Sequence, residues 1–235
     1  MKIEYIGKCL LLNNEDERIL VIGDLHLGYE EAMNKSGVFV TREMYNEMIG
    51  ELDNVFSDVG DVEKIVLLGD VKHAFSGNLK QEWQDVLKFI RYLKEKCGEL
   101  IILRGNHDNY LVNIAEREGI KVLEEYFWQG FMFVHGDVDR ENMYDKKVKY
   151  WIMGHAHPAI KISDGNKIEK YKCFLVGEYK GRKIIVLPSF FSLVIGSDVR
   201  EDINLPWEFD IDKFEVKVVG ENLEVLDFGK VNKIK

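Results

Sequence analysis

The chain has 235 residues, of which 46% are hydrophobic and 31% are charged. These proportions are ordinary for a globular protein and exclude a disordered or fibrous chain. The formal net charge of −9 argues against a highly basic protein that coats nucleic acid. The charge is uneven, however. Residues 141–183 hold 10 basic and 5 acidic residues, and we expect an anionic substrate to approach from this segment.

The cysteines and the apolar segments indicate the compartment. Cys9, Cys97 and Cys173 are far apart and form no C-x-x-C pair, so they predict neither a disulfide framework nor a thiolate metal site. The N-terminal residues lack the long apolar stretch of a signal peptide. The longest apolar stretch of the chain is too short to span a bilayer. We therefore expect a soluble, cytoplasmic protein with no membrane partner.

In the first two-thirds of the chain, short apolar segments each run into a polar loop. The segments are apolar throughout rather than alternating, which is typical of strands buried on both faces. These predicted strands cover residues 18–22, 64–68, 100–103, 131–134 and 150–153.

Apolar residues at helical spacing lie between the earlier strands. Gln81–Lys96 and Thr41–Phe56 each place their apolar residues on one stripe. Thr41 is the predicted N-cap of the second of these helices, and Gly98 is the predicted C-terminal cap of the first. A weaker helix is predicted over residues 110–118. The alternation of strands and helices predicts packed α/β layers with helices covering a sheet.

After residue 157 the pattern changes to short strands and turns. The predicted strands there cover residues 167–176, 183–187, 214–219 and 223–228. The fold class is therefore α/β, as a sandwich of two facing sheets whose second sheet is completed by these later strands.

Five of the six histidines follow predicted strands directly: His26, His107, His135, His155 and His157. The same loops contain further polar residues, namely Asp24, Asp70 and Asn106. Loops at the carboxyl ends of strands are where α/β folds bind ligands. A lone histidine in such a loop is more often a hydrogen-bonded structural residue than a ligand. Five of them in four loops, together with carboxylates, indicate a functional site.

The residue types indicate a metal centre. In the D-x-H and H-x-H loops, residues two apart point the same way along an extended chain and can face one cluster. Imidazole and carboxylate ligands without thiolate suit Mn, Fe, Zn, Ni or Co rather than Ca. Seven candidate ligands are too many for one ion but suit two ions that share a carboxylate. Two ions about 3.5–4 Å apart can share a hydroxide and clamp the oxygens of a phosphoryl transfer, so the predicted reaction is phosphate ester hydrolysis.

The ordered motifs resemble those of the calcineurin-like metallophosphoesterases. They are D-x-H at 24–26, G-D at 69–70, G-N-H-D at 105–108, H-G-D at 135–137 and G-H-x-H at 154–157. The resemblance implies a four-layer α/β/β/α sandwich with two facing mixed sheets and a dinuclear metal site at the strand ends. D-L-H-L-G-Y-E at 24–30 and G-D-V-K-H at 69–73 look most like archaeal SbcD-related phosphoesterases, which in turn resemble ligase-associated DNA endonucleases.

The resemblance also assigns roles to individual residues. It implies a first ion held by Asp24, His26, Asp70 and His157. It implies a second ion held by Asp70 as a bridge and by Asn106, His135 and His155. His107 would meet the substrate phosphate and assist the leaving oxygen. We expect Asp108 to orient His107, because a histidine acid needs its other ring nitrogen anchored.

Two residues beside the bridging carboxylate keep two interpretations open. Lys72 and His73 could contact the substrate phosphate at the mouth of the site, or they could be a loop lysine and a capping histidine. The expected cofactor is a pair of divalent ions, with Mn preferred and Fe, Ni, Co or Zn as alternatives.

The function predicted from these features is a dinuclear phosphodiesterase in which a metal-bridging hydroxide attacks in line, with DNA or RNA as the preferred substrate. One alternative is a small-molecule phosphodiesterase or phosphatase acting on cyclic or other nucleotides, which the net charge of −9 favours. Another is a non-catalytic interaction module, although such a module would be expected to have lost ligands. SbcD-type nucleases usually carry a capping domain. We expect residues 1–235 to form one metallophosphoesterase domain without it, and a homodimer is a possible assembly, since dimers are common in this family.

Overall fold

The computed structural model describes residues 1–74, 80–201 and 203–234. The first sheet has six strands in the order β1-β2-β3-β4-β5-β6, antiparallel from β1 to β3 and parallel from β3 to β6. The elements of this half are β1 Lys2–Ile6, β2 Cys9–Asn13, β3 Arg18–Ile22, α1 Tyr29–Lys35, α2 Met44–Val59, β4 Val62–Leu67, α3 Lys80–Lys94, β5 Cys97–Leu103, α4 Leu111–Ala115 and β6 Val122–Leu123.

The second sheet has nine strands and is also mixed. Its main path runs β13-β10-β11-β12-β9-β8-β7, and a hairpin of β14 and β15 joins it by pairing with β11. The strands β8, β9 and β12 are parallel, whereas the remaining main-path pairs except β10–β13 are antiparallel. The elements are β7 Tyr126–Trp128, β8 Phe131–Val134, β9 Tyr150–Met153, β10 Pro158–Ser163, β11 Ile168–Tyr179, β12 Arg182–Val186, β13 Ser197–Asp198, β14 Glu215–Val219 and β15 Val225–Lys230.

The two sheets face each other across an apolar layer to which both contribute. Leu12 and Val66 of the first sheet belong to the same buried cluster as Phe133 and Ile152 of the second. Helices α2 and α3 cover the outer face of the first sheet. Leu52 of α2 and Phe89 of α3 belong to one buried cluster with Ile65 of β4. The expected α/β fold with two facing mixed sheets is confirmed, and the strands predicted over 18–22, 131–134 and 150–153 are confirmed to the residue.

The outer layers differ from each other. All four described α-helices lie in the part of the chain that forms the first sheet. On the outer face of the second sheet, short 3₁₀ turns and loops pack against strand residues in one buried cluster, to which Met143 and Trp207 belong. Among the described residues, no helix has the length and apolar character needed to cross a membrane.

Two predicted helix boundaries are wrong for identifiable reasons. Helix α2 begins at Met44 rather than beside Thr41, because a carboxylate oxygen of Glu30 in α1 accepts the backbone N–H groups of Glu43 and Met44, each at 2.9 Å. The cap is therefore supplied by a distant residue rather than by a local one. Gly98 does not cap α3, which ends at Lys94, but lies inside β5.

Candidate metal centre

The loops that follow strands of both sheets meet at one end of the sandwich. From the first sheet come the residues after β3, β4 and β5, which are Asp24, His26, Asp70 and Asn106. From the second sheet come the residues after β8 and β9, which are His135, His155 and His157. The structure thus brings all seven predicted ligands together, because the parallel strands of each sheet end at the same edge.

The first group of ligands consists of Asp24, His26 and His157, whose donor atoms lie within 4.8 Å of one another. His26 Nε2 is 3.2 Å from His157 Nε2, and His157 Nε2 is 3.4 Å from Asp24 Oδ1. Asp24 and His26 are buried, whereas the His157 side chain is 22% exposed, so the group reaches solvent at His157. These are the residues that the family resemblance assigns to the first ion, apart from the bridging Asp70.

The second group consists of Asp70, His135 and His155, again with donor atoms within 4.8 Å of one another. His135 Nε2 is 3.1 Å from both His155 Nδ1 and Asn106 Oδ1. The Nδ1–H of His135 donates to the carbonyl oxygen of Leu68 at 2.9 Å. This hydrogen bond turns Nε2 toward the other donors, as an outer partner does for a metal-binding histidine.

Asp70 lies between the two groups. One of its carboxylate oxygens is 3.7 Å from His26 Nε2 in the first group, and the other is 3.6 Å from His135 Nε2 in the second. Ligands that each bind a transition metal at about 2.1 Å lie about 3 Å or more from one another. The spacing and the mixed oxygen and nitrogen donors therefore fit two divalent ions with Asp70 as the shared ligand.

The backbone of these loops is held in an unusual conformation. Nine non-glycine residues among those described have a positive φ, and five of them are predicted ligands: Asp24, His26, Asp70, His155 and His157. A left-handed conformation costs a non-glycine residue about 1 kcal/mol or more and persists where the surrounding structure enforces it. The strain is thus concentrated where the donors are aimed.

The electrostatics of the site favour a cation. Burial lowers the pKa of His26 to about 2 and the pKa of His155 to about 4, so both imidazoles are neutral at pH 7 and can bind a metal. Burial, followed by the charges of Asp24 and Asp108, raises the pKa of Asp70 to about 7. Burial also acts to raise the pKa of Asp24, but the neighbouring imidazoles, that of His157 first, outweigh it and lower this pKa.

His107 lies at the edge of the two groups. Its Nδ1–H donates to the carbonyl oxygen of His73 at 2.6 Å, and its Nε2 is 3.9 Å from an oxygen of Asp70. The carboxylate of Asp108 is buried and accepts the backbone N–H groups of Gly105 at 2.9 Å and Lys72 at 3.1 Å. The expected anchoring of the His107 ring by Asp108 is therefore corrected. The carbonyl of His73 anchors the ring, and Asp108 holds the loop.

The two residues beside Asp70 face in different directions. The Lys72 side chain is fully buried, and its Nζ is 3.2 Å from Glu82 Oε1, so this ammonium points away from the site. Of the two interpretations of Lys72, contact with substrate does not fit this position, and the structural interpretation does. The ring of His73 is stacked on that of His107, with centroids 5.3 Å apart, and lies 4.6 Å from the ring of Tyr29. The ring of His73 therefore lies at the edge of the site, between His107 and Tyr29.

Sequence reasoning missed two residues of the site. The side-chain amide of Asn204 lies 3.1 Å from His155 Nε2, on the opposite side of the ring from His135. Glu82 pairs with Lys72 from α3. Neither residue belongs to a motif, and an acidic residue in the first turn of a helix is ordinary. Only the tertiary fold brings them to the site.

The comparisons with known proteins agree with this geometry. The family model of calcineurin-like phosphoesterases matches residues 17–213. The fold and the donor set define a metal-dependent phosphoesterase, and the chain belongs to the calcineurin-like phosphoesterase family. Membership of this family implies divalent ions at the site and supports hydrolase activity on phosphoesters. No curated protein sequence matches the chain.

Solved structures are similar to this chain at low sequence identity. A nuclease MPE from Pseudomonas putida is 17% identical with a TM-score of 0.65, over 97% of this chain and 99% of that one. Yfce, a phosphoesterase from E. coli, is 12% identical with a TM-score of 0.41, over 88% of this chain and 96% of that one. The first similarity shows that the fold extends over nearly the whole chain.

Proposed function

We propose that this protein hydrolyses phosphodiesters at a two-ion centre and that a nucleic-acid strand is its preferred substrate. The observation that carries the proposal is the position of Asp70, whose two oxygens face the first and second groups of ligands at 3.7 and 3.6 Å. Two divalent ions, when bound, would supply positive charge for the phosphoryl oxygens and lower the pKa of water. Asp24, His26, Asp70 and His157 would hold one ion, and Asp70, Asn106, His135 and His155 the other, with Mn the expected metal.

His107 is the proposed proton donor. Its Nδ1–H donates to the carbonyl oxygen of His73, and its Nε2 lies 3.9 Å from an oxygen of Asp70, on the side of the ligand groups. A proton held at His107 Nε2 would pass to the leaving oxygen as the bond to phosphorus breaks. The stacked ring of His73 lies on the same side and is the proposed contact for a phosphate oxygen.

The charges around the site favour a diester over a monoester. The two cationic residues next to the ligand motifs are already paired, Lys72 with Glu82 at 3.2 Å and Arg104 with Glu124 at 3.5 Å. Lys72 is fully buried in this pair and therefore cannot balance the second negative charge that a phosphate monoester carries. A diester has a single negative charge and matches the site better.

Two observations support a strand as substrate, and one supports a smaller molecule. The structure from Pseudomonas putida that shares the fold is that of a nuclease, and residues 141–183 hold an excess of basic residues. The net charge of −9 instead favours a small-molecule phosphodiesterase, because a long polyanion is repelled by an acidic protein. This is the second candidate function.

The test compares four substrates in the presence of Mn²⁺ at one protein concentration. The substrates are bis-p-nitrophenyl phosphate, p-nitrophenyl phosphate, 2′,3′-cyclic AMP and a labelled single-stranded DNA. We expect cleavage of the DNA and of the diesters, with the monoester at least about 100-fold slower. Cleavage of small diesters without DNA would favour the second candidate. No turnover by protein that holds two ions would contradict both and support an interaction module.

A further inference from the structure

A buried ion pair lies against the backbone of His107. Lys72 is two residues from Asp70, and its side chain has no exposed surface. Its Nζ is 3.2 Å from Oε1 of Glu82, whose side chain in the first turn of α3 is only 2% exposed. Removing two charges from water is costly, and an apolar pair of similar volume is often as stable. The presence of this pair therefore calls for a reason other than stability.

The pair connects three segments around His107. Besides Glu82, the ammonium of Lys72 donates to the carbonyl oxygen of His107 at 3.2 Å and to that of Ala74. The other carboxylate oxygen of Glu82 accepts the backbone N–H of Ala74 at 3.1 Å. The loop after β4, the loop after β5 and the first turn of α3 are thus fixed to one another by charge-assisted hydrogen bonds.

These bonds hold the backbone on both sides of the His107 ring. The carbonyl oxygen of His73, which accepts from His107 Nδ1 at 2.6 Å, lies between Lys72 and Ala74 in the chain. The carbonyl of His107 itself accepts from Lys72. The direction of His107 Nε2 therefore depends on two backbone points that the ion pair fixes.

The loop that carries the first ligands is packed against the same pair. A Cβ at Gly28, whose φ is +89°, would lie 2.7 Å from Glu82 Cβ and 2.8 Å from Glu82 Oε2. Glu82 therefore has no room to move toward this loop, and the carboxylate is confined to the position in which it meets Lys72.

We propose that Lys72 and Glu82 are positioning residues for the proton donor His107, acting through the carbonyl groups of His73 and His107. This inference rests on the proposed function, because it assigns the pair to the protonation of the leaving group. Loss of the pair leaves the seven ligands in place but lets the His107 ring turn away. The loss matters most for a poor leaving group, which needs the proton, and least for p-nitrophenolate, which is stable as an anion.

The test uses the double variant Lys72→Met/Glu82→Leu, which removes both charges and keeps the volume apolar. With two ions still bound, we expect hydrolysis of single-stranded DNA to fall about 100-fold and hydrolysis of bis-p-nitrophenyl phosphate to fall less than about 5-fold. Adding His107→Asn to the double variant is expected to lower DNA hydrolysis no further than His107→Asn does alone, because residues that act through one group are not additive. Glu82→Gln, which keeps the shape, is expected to show the same pattern more weakly.

The control is the pair Lys64 and Glu17, a partly buried ion pair that lies away from the ligands. Lys64→Met/Glu17→Leu is expected to leave the ratio of the two substrates unchanged. The positioning role would be overturned by equal losses on both substrates, by additivity with His107→Asn, or by loss of a bound ion. If the double variant does not fold, Glu82→Gln decides by the same criteria. If His107→Asn itself leaves DNA cleavage intact, the failure belongs to the proposed function rather than to the pair.

Discussion

In the protein without metal, the surroundings of Asp70 favour the protonated carboxyl, whereas its proposed role needs the ionised one. In the proposed role as a bridge between two ions its carboxylate must be ionised, yet burial and the charges of Asp24 and Asp108 raise its pKa to about 7. Between about pH 4 and 7 the folded state therefore keeps a proton at Asp70 that the unfolded state has released. The free energy of unfolding falls as the pH rises through this range. Bound cations remove the conflict.

The substitution Asp70→Asn tests this account at one residue. In metal-free protein we expect the variant and the wild type to have similar free energies of unfolding at pH 4.5. At pH 8 the variant should be more stable by on the order of 2 kcal/mol, because it has no carboxylate to bury. The same variant should fail to hold two ions and should lose at least about 100-fold in diester hydrolysis. Urea denaturation at both pH values and metal analysis measure these effects, and an unchanged stability difference between the pH values would contradict them.

His107 provides a second prediction at the residue scale. His107→Asn is expected to retain both ions and to lose about 10²–10⁴-fold in kcat on single-stranded DNA, which is the usual contribution of a general acid. The loss on bis-p-nitrophenyl phosphate should be much smaller. Steady-state kinetics on the two substrates test this, and equal activity of variant and wild type on DNA would remove His107 from the mechanism.

At the scale of elements, the end of the segment between β12 and β13 packs tightly against the loop that carries His157. A Cβ at Gly196, whose φ is +115°, would lie 2.0 Å from the carbonyl oxygen of His157. The next residue, Ser197, donates its N–H to that same oxygen at 3.0 Å. A side chain at Gly196 must therefore push away the loop that carries His157.

Gly196→Ala is expected to lower the free energy of unfolding by about 2–4 kcal/mol and to weaken binding of the first ion, because steric overlap adds to the cost of a positive φ. Gly165→Ala is the matched control. Its φ of +93° is similar, but nothing lies within 4 Å of the added Cβ, so only about 1 kcal/mol should be lost. Equal losses in the two variants, measured by urea denaturation, would show that the contact with His157 does not matter.

The elements also show how much could be predicted from the sequence. The ligands were predictable because each follows an apolar strand by a few residues, and the local pattern fixes both the strand and the loop. The cap of α2 could not be predicted, because the carboxylate that accepts the backbone N–H groups of Glu43 and Met44 belongs to Glu30, in a different helix. Asn204 and Glu82 were missed for the same reason, since only tertiary packing brings them to His155 and Lys72.

At the scale of the whole molecule, the metal centre joins the two sheets. Asp24 and Asp70 come from the first sheet, whereas His135 and His155 come from the second. Ions that bind only the folded chain stabilise it, by about 2.7 kcal/mol for each site at a concentration 100 times its Kd. For a chain of this size, two such ions should together raise the thermal midpoint by about 10–20 °C over protein in EDTA. Scanning fluorimetry measures the thermal midpoint. If Mn²⁺ raised the midpoint of Asp70→Asn by the same amount, the stabilisation would not come from ions bound at Asp70.

The central claim is that two ions sharing Asp70 hydrolyse a phosphodiester, and a metal titration tests it most directly. Metal-free protein would receive Mn²⁺ in steps, with bound metal and the rate of bis-p-nitrophenyl phosphate hydrolysis measured at each step. The account predicts two ions bound per chain and a rate that rises only as the second ion binds. Full activity with one ion bound, or no hydrolysis with two ions bound, would contradict it.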